Sequence, residues 1–172
     1  HGLYLVPQEP MLFPNMTVEE NIVVGFKEKP GLLHKRLVEL LDRLGREMDL
    51  KRKALTLSIA EQQLVELLRG LLRNAKLLIL DEPTRALTFN EVQSLFKIIE
   101  DLKKKNIGII YITHRLEEVF EIATDVAIMR DGVITLNGPV TAFTREMLVQ
   151  GLLPPDVKEN KAAFSSRLPD YN

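Results

Sequence analysis

Asp81 and Glu82 close the run Leu-Leu-Ile-Leu-Asp-Glu-Pro-Thr at residues 77–84. A short apolar run ending in two adjacent carboxylates is how a buried strand delivers acid groups to the edge of a sheet. Asp81 has the chemistry to hold a hydrated Mg²⁺. Glu82 can take a proton from an attacking water, or polarise it. Phosphoryl transfer needs such a pair, with a metal to neutralise phosphates and a base to place the nucleophile. The plainer reading is a buried strand followed by a polar turn.

Four further stretches bear on that choice. Thr113-His114 follows the apolar run 107–112. An imidazole at a strand end can hydrogen-bond both a phosphate and a water, although a lone His there is most often a surface residue. Gln8 lies in Val-Pro-Gln-Glu-Pro. Its neutral amide can ligate Mg²⁺ or hold a water without adding charge. Leu57-Ser-Ile-Ala-Glu-Gln-Gln63 opens a strongly helical run to Leu72, and Ser58 with Glu61 has capping-box spacing. A capped helix start and an anion site at that helix end are compatible readings. Thr84-Arg-Ala-Leu-Thr88 leads into the next helix, with Thr88 and Glu91 again spaced as a capping box.

The elements that must position these residues are legible in outline. Residues 2–7 read as a short strand and 7–14 as a proline-punctuated loop. Thr17 and Glu20 cap a helix starting near Val18, and Pro30-Gly31 marks a break. Leu33, Leu37, Leu40, Leu41 and Leu44 recur at helical spacing, so 15–72 reads as mostly helical. From Leu77 strands and helices alternate: strand 77–81, helix 89–104, strand 107–112, helix 116–123, strand 125–130. Asp131-Gly132 between apolar-rich runs signals a hairpin, and a last helix is expected over 141–149. Residues 151–172 read as a tail or linker. The alternation predicts an α/β fold, a parallel sheet with helices on its faces, into which the helical block 15–72 is inserted.

Composition sets the frame. The 172 residues suit one domain with a sizeable core. Lys and Arg number 23 against 24 Asp and Glu, a net charge of −1, which gives no electrostatic case for nucleic acid or an anionic membrane. There is no cysteine, hence no disulfide framework or thiolate metal site. No apolar run approaches the length of a membrane span. The chain begins at His1, almost inside a motif, and is expected to be a fragment.

Taken in order, the glutamine loop, LSIAEQQ, LLILDEPT, the ALT turn and the strand ending in ITH closely resemble the nucleotide-binding domain of ATP-binding-cassette (ABC) transporters. The likeness covers about residues 1–140. It implies a P-loop NTPase, RecA-like core with a helical subdomain, and two such domains closing head to tail around two ATP molecules with Mg²⁺. On that resemblance Gln8 is the metal-facing glutamine and Asp81 the metal carboxylate. Glu82 is the general base or water-polarising residue, and His114 the switch histidine. Ser58, Ile59, Ala60, Glu61 and Gln62 form the signature segment facing the other domain's ATP, and Ala86, Leu87 and Thr88 form the loop that crosses toward that domain. Residues 1–150 then make the nucleotide-binding domain fragment, and 151–172 lead toward a second one. Glu-Pro-Thr-x-Ala-Leu-Thr with Met-Arg-Asp-Gly resembles importers of ribose-like sugars, which fuse two nucleotide-binding domains. The opening LVPQEPMLFP and Ala60 resemble the branch of that family that takes up a small furanosyl compound, and imply such a solute. The partners implied are a second nucleotide-binding domain, transmembrane permease subunits and a solute-binding protein, with no nucleic acid. The place implied is the cytoplasmic face of a bacterial inner membrane, as a peripheral subunit.

Two departures from the family pattern stand out. No G-x-x-x-x-G-K-[ST] loop occurs in the 172 residues, so the N-terminal Walker A part is expected to precede residue 1 and the segment alone to be inactive. Ile59 and Ala60 stand where most signatures have two glycines, and Glu61 adds negative charge. Two other readings stay open: a soluble ABC ATPase with no transport role, and a non-catalytic interaction module.

Overall fold

Three short strands organise the first part of the chain: β1 (Leu3–Val6), β2 (Leu77–Asp81) and β3 (Gly108–Ile112). The structure, a computed structural model, describes residues 2–153. The tail expected from 151 onward lies, from residue 154, outside the described residues. The chain divides into two units, one ending at His114 and the other starting at Arg115.

In the first unit the strands are parallel in the order β1-β2-β3. Leu3 pairs with Leu77 and Leu77 with Gly108, and the register runs on to Asp81 beside Ile112. Alternation puts Tyr4, Val6, Leu78, Leu80, Ile109 and Tyr111 on one face. Helices α3 (Ile59–Leu72) and α4 (Phe89–Lys104) cover it. At Gly70 of α3 a Cβ would lie 2.6 Å from the Tyr4 ring, so only glycine lets the helix ride this close to the strand. Phe96 of α4 meets Tyr111 edge-on, with centroids 6.3 Å apart. Leu67, Leu68, Leu78, Leu80, Ile99 and Leu102 are fully buried here. Each such side chain stabilises the fold by about 1.5–3 kcal/mol.

Residues 15–72 are mostly helical, as the leucine spacing implied, and the helices are separated by loops. Helix α1 (Val18–Val23) is closed by the Thr17–Glu20 capping box. Helix α2 (Pro30–Arg43) starts with proline in its first turn and buries Leu33, Leu37 and Leu41. It stops at Gly45, φ +59°, where the Gly45 N–H bonds to the Asp42 carbonyl and the Arg46 N–H to that of Leu41. Those paired bonds around a left-handed residue are a Schellman stop. A loop and one 3₁₀ turn (Ala54–Thr56) then lead to α3.

The second unit holds α5 (Leu116–Ile122), β4 (Asp125–Arg130), β5 (Val133–Pro139) and α6 (Arg145–Leu152). Asp131 and Gly132 have φ of +50° and +78°, the pattern of a two-residue hairpin turn. β4 runs antiparallel to β5 in a two-stranded ladder, the hairpin that Asp131-Gly132 signalled, because so tight a turn folds the next strand straight back. The last helix also begins later than expected. Residues 140–142 form a 3₁₀ turn after Pro139, and Thr144 restarts the helix by accepting a bond from the Met147 N–H.

Candidate active site

Parallel strands bring their carboxyl ends to one edge, and the chemistry gathers there. Gln8 lies two residues past β1, Asp81 ends β2, Glu82 follows it, and His114 lies two residues past β3. Gln8 Nε2 donates to Glu82 Oε2 at 3.4 Å, and His114 Nδ1 lies 3.0 Å from Glu82 Oε1. Against an ionised carboxylate, which only accepts, this contact is a hydrogen bond in the tautomer that carries its hydrogen on Nδ1. Glu82 thus has one neighbour on each oxygen. Its backbone N–H reaches the Ile112 carbonyl at 2.9 Å, one step beyond the ladder, while its φ is +43°. That left-handed conformation is uncommon for a side chain of this size, and such outliers cluster at functional sites. Asp81, partly exposed, lies on the opposite sheet face from Leu80.

The segment 58–62 lies at the start of α3, apart from that cluster. Ser58 and Glu61 form a complete capping box, with Glu61 Oε2 accepting the Ser58 N–H at 2.7 Å. Arg52 closes on the same carboxylate at 2.6 and 3.2 Å and also binds the Thr56 carbonyl. Partial burial pushes the Glu61 carboxyl up. The Arg52 hydrogen bond and charge, with the Ser58 N–H and hydroxyl, outweigh it and hold the group below its ordinary range. Ile59 is exposed, and Gln62 turns back to the Leu57 carbonyl. Beside this helix end opens a cleft of about 390 Å³, lined by Ser58, Ala60, Glu61, Gln63 and Leu87 among others. Of the turn 86–88, Leu87 therefore reaches this cleft. Thr88 donates its N–H and hydroxyl to Glu91 at the start of α4.

A third group was not singled out from the sequence. Gln63 Nε2 donates to the Gln8 carbonyl at 3.2 Å. Glu66, almost fully buried, accepts the Met11 N–H at 3.1 Å and the Tyr4 hydroxyl at 2.9 Å. Arg69 Nη1 lies 3.1 and 3.2 Å from the two Glu66 oxygens. Asn21 grips the same loop further on, through the Phe13 N–H and the Phe13 and Thr17 carbonyls. Burial first, then the Glu66 charge and hydrogen bond, push Tyr4 up to about 12. The signal available in the sequence was an acid at an apolar-face position of α3, next to positions that must be core.

The donor set at the sheet edge suits Mg²⁺. That ion takes one or two carboxylates and completes its shell with water and phosphate oxygens, and Asp81 with the Gln8 amide oxygen supplies oxygens of this kind. No group of three acidic, His or Cys residues forms a metal cage among the described residues. A shared site of this type needs none. No helix among them is long and apolar enough to cross a membrane.

Residues 1–85 match the ABC transporter family. The autoinducer 2 import ATP-binding protein LsrA of Enterobacter sp. (strain 638) is 47% identical over 153 residues, which is 89% of this chain and 31% of that protein. The ribose import ATP-binding protein RbsA of Caldanaerobacter subterraneus subsp. tengcongensis is 36% identical, over 93% of this chain and 34% of its own length. The chain thus spans about a third of the length of these curated relatives. Among solved structures, cbiO1 from Clostridium perfringens, part of the ABC transporter complex cbiONQ, superposes with a TM-score of 0.74 at 28% identity, covering 87% of this chain and 62% of that one. A nucleotide-free ATP-binding cassette from an ABC transporter gives 0.73 at 26% identity, covering 92% and 67%.

Proposed function

The chain belongs to the ABC transporter family, and from that premise we propose that the full-length protein hydrolyses ATP to drive uptake of a sugar-like solute. The observation that carries this reading is the meeting of Gln8, Glu82 and His114 at the carboxyl edge of a parallel sheet, beside a carboxylate, Asp81, of the right chemistry for Mg²⁺. When bound, Mg²⁺ neutralises phosphate charge. Asp81 and Gln8 hold the metal side of the nucleotide. Glu82 takes the proton of, or orients, the attacking water, and His114 fixes the Glu82 carboxylate through Nδ1. Ser58, Ile59, Ala60, Glu61 and Gln62 face the ATP of a second nucleotide-binding domain, with Ala86, Leu87 and Thr88 crossing toward that domain.

The remaining partners are permease subunits and a solute-binding protein, and the protein works at the cytoplasmic face of a bacterial inner membrane. The solute is autoinducer-2. The 47% identity to an autoinducer-2 importer against 36% to a ribose importer supports this choice, as do the LVPQEPMLFP opening and Ala60.

The catalytic assignment is tested by Glu82→Gln in the full-length protein. ATP binding should persist and hydrolysis fall by ~10²–10⁴-fold, the contribution of a general base. Turnover at the wild-type level removes Glu82 from the role. The solute is tested in vesicles carrying the permease and solute-binding protein. Autoinducer-2 should raise ATP hydrolysis and ribose should not; stimulation by ribose alone overturns the assignment.

A further inference from the structure

Gln8 sits in a short loop with little freedom of its own. Pro7 and Pro10 fix φ on either side of it. Val6 and Glu9, each preceding a proline, are held extended. What is left is largely the setting of Gln8 itself, and α3 supplies it from two side chains one turn apart. Gln63 donates to the Gln8 carbonyl, and Glu66 accepts the Met11 N–H three residues on.

Stability alone is a poor account of these two residues. Glu66 is 1% exposed, and its charge is answered by Arg69. A buried ion pair is often no better for stability than apolar residues of the same volume. Gln63 is 3% exposed, and its Oε1 is buried without a hydrogen-bond partner among the described residues. A leucine would fill that place without an unpaired oxygen. What both side chains do that an apolar residue cannot is grip the backbone of the Gln8 loop.

We propose that Glu66, together with Gln63, is a positioning residue for the reaction: it clasps the loop at Gln8 and Met11 and so sets the Gln8 amide against Glu82. The inference rests on the function proposed above. Neither residue touches the reacting atoms, so both act through Gln8.

The experiment is a double-mutant cycle on ATP hydrolysis by the full-length protein, using Gln8→Ala, Glu66→Leu, which removes the acceptor of the Met11 N–H, and Gln63→Leu. Glu66→Leu leaves Arg69 buried without its charge partner, so Gln63→Leu, which exposes no charge, is the second arm. Each variant should lower kcat about ten- to hundred-fold, the scale of a small misplacement at a site, with KM for ATP little changed. In combination with Gln8→Ala, neither should lower it further than Gln8→Ala alone. The Met11 amide, read by hydrogen exchange, should lose protection in Glu66→Leu, which removes its acceptor. Losses that multiply with that of Gln8→Ala show a structural role only and overturn the inference. So does a Gln8→Ala protein with wild-type turnover. Absence of hydrolysis in the wild type overturns the proposed function as well, which distinguishes the two failures.

Discussion

Replacing Glu82 by glycine and by alanine separates the backbone of the site from its chemistry. Both variants lose the same contacts, the 3.4 Å bond from Gln8 and the 3.0 Å bond from His114. These cancel in the difference between them. What remains is the backbone at φ +43°. An L-residue held in the left-handed region costs about 1–2 kcal/mol, a term glycine avoids. Glycine in turn loses about 0.5–1 kcal/mol more conformational entropy on folding than alanine. The glycine variant should therefore be the more stable by about 0.8 kcal/mol at the middle of these ranges, the reverse of the ordinary order for these two residues. Urea unfolding of the purified variants measures it, followed by circular dichroism because the chain has no tryptophan. On the function proposed above, ATP hydrolysis should fall in both by the same ~10²–10⁴-fold as in Glu82→Gln. An alanine variant as stable as the glycine variant, or more so, refutes the claim that Glu82 is held under backbone strain.

Other outcomes follow from the helix end and from the buried tyrosine. Glu61 already satisfies the start of α3 from within, through Ser58 and Arg52, so the ATP site facing this segment should turn over more slowly than the one built on Asp81 and Glu82. With Glu82 disabled in the full-length protein, Ala60→Gly combined with Glu61→Gln should speed the remaining site; no gain shows that the segment does not limit it. Tyr4 should titrate at about 12, above the ordinary 10, in a spectrophotometric titration. A raised folded value means the folded state keeps its proton longer, so this contribution is full below pH 10 and is lost as pH rises through about 12. Glu66→Gln should move that titration downward, and an unmoved one would dissociate Tyr4 from Glu66.

Local rules carried the sequence reading furthest where they act within a few residues. Thr17 with Glu20 and Ser58 with Glu61 are complete capping boxes, and Asp131-Gly132 turns as the dipeptide demands. The strand ends were legible too, because an apolar run that stops at a polar residue marks both the strand and its edge. Parallel pairing then brings Gln8 and His114 to Glu82, the first across a separation of 74 positions. What the sequence hid was long-range and polar. Arg52 closing on Glu61, and Glu66 reaching Met11 across 55 positions, depend on tertiary packing that no periodicity encodes. The late start of α6 was hidden for a different reason: Thr141 and Thr144 both offer caps, and the 3₁₀ turn after Pro139 leaves the choice to Thr144.

The contact between His114 and Glu82 has a consequence in proton counting. A neutral imidazole owns one N–H, and in the tautomer that donates from Nδ1 to Glu82 it is spent there. Nε2 then has only a lone pair, which repels a phosphate oxygen. His114 can serve the carboxylate or a phosphate, but as a neutral ring not both at once. To hold both it must take up a second proton. In the function proposed here, a neutral His114 that turns its single hydrogen toward a phosphate lets go of Glu82 in the same motion. One hydrogen atom would then decide whether the base is tethered or released to its water.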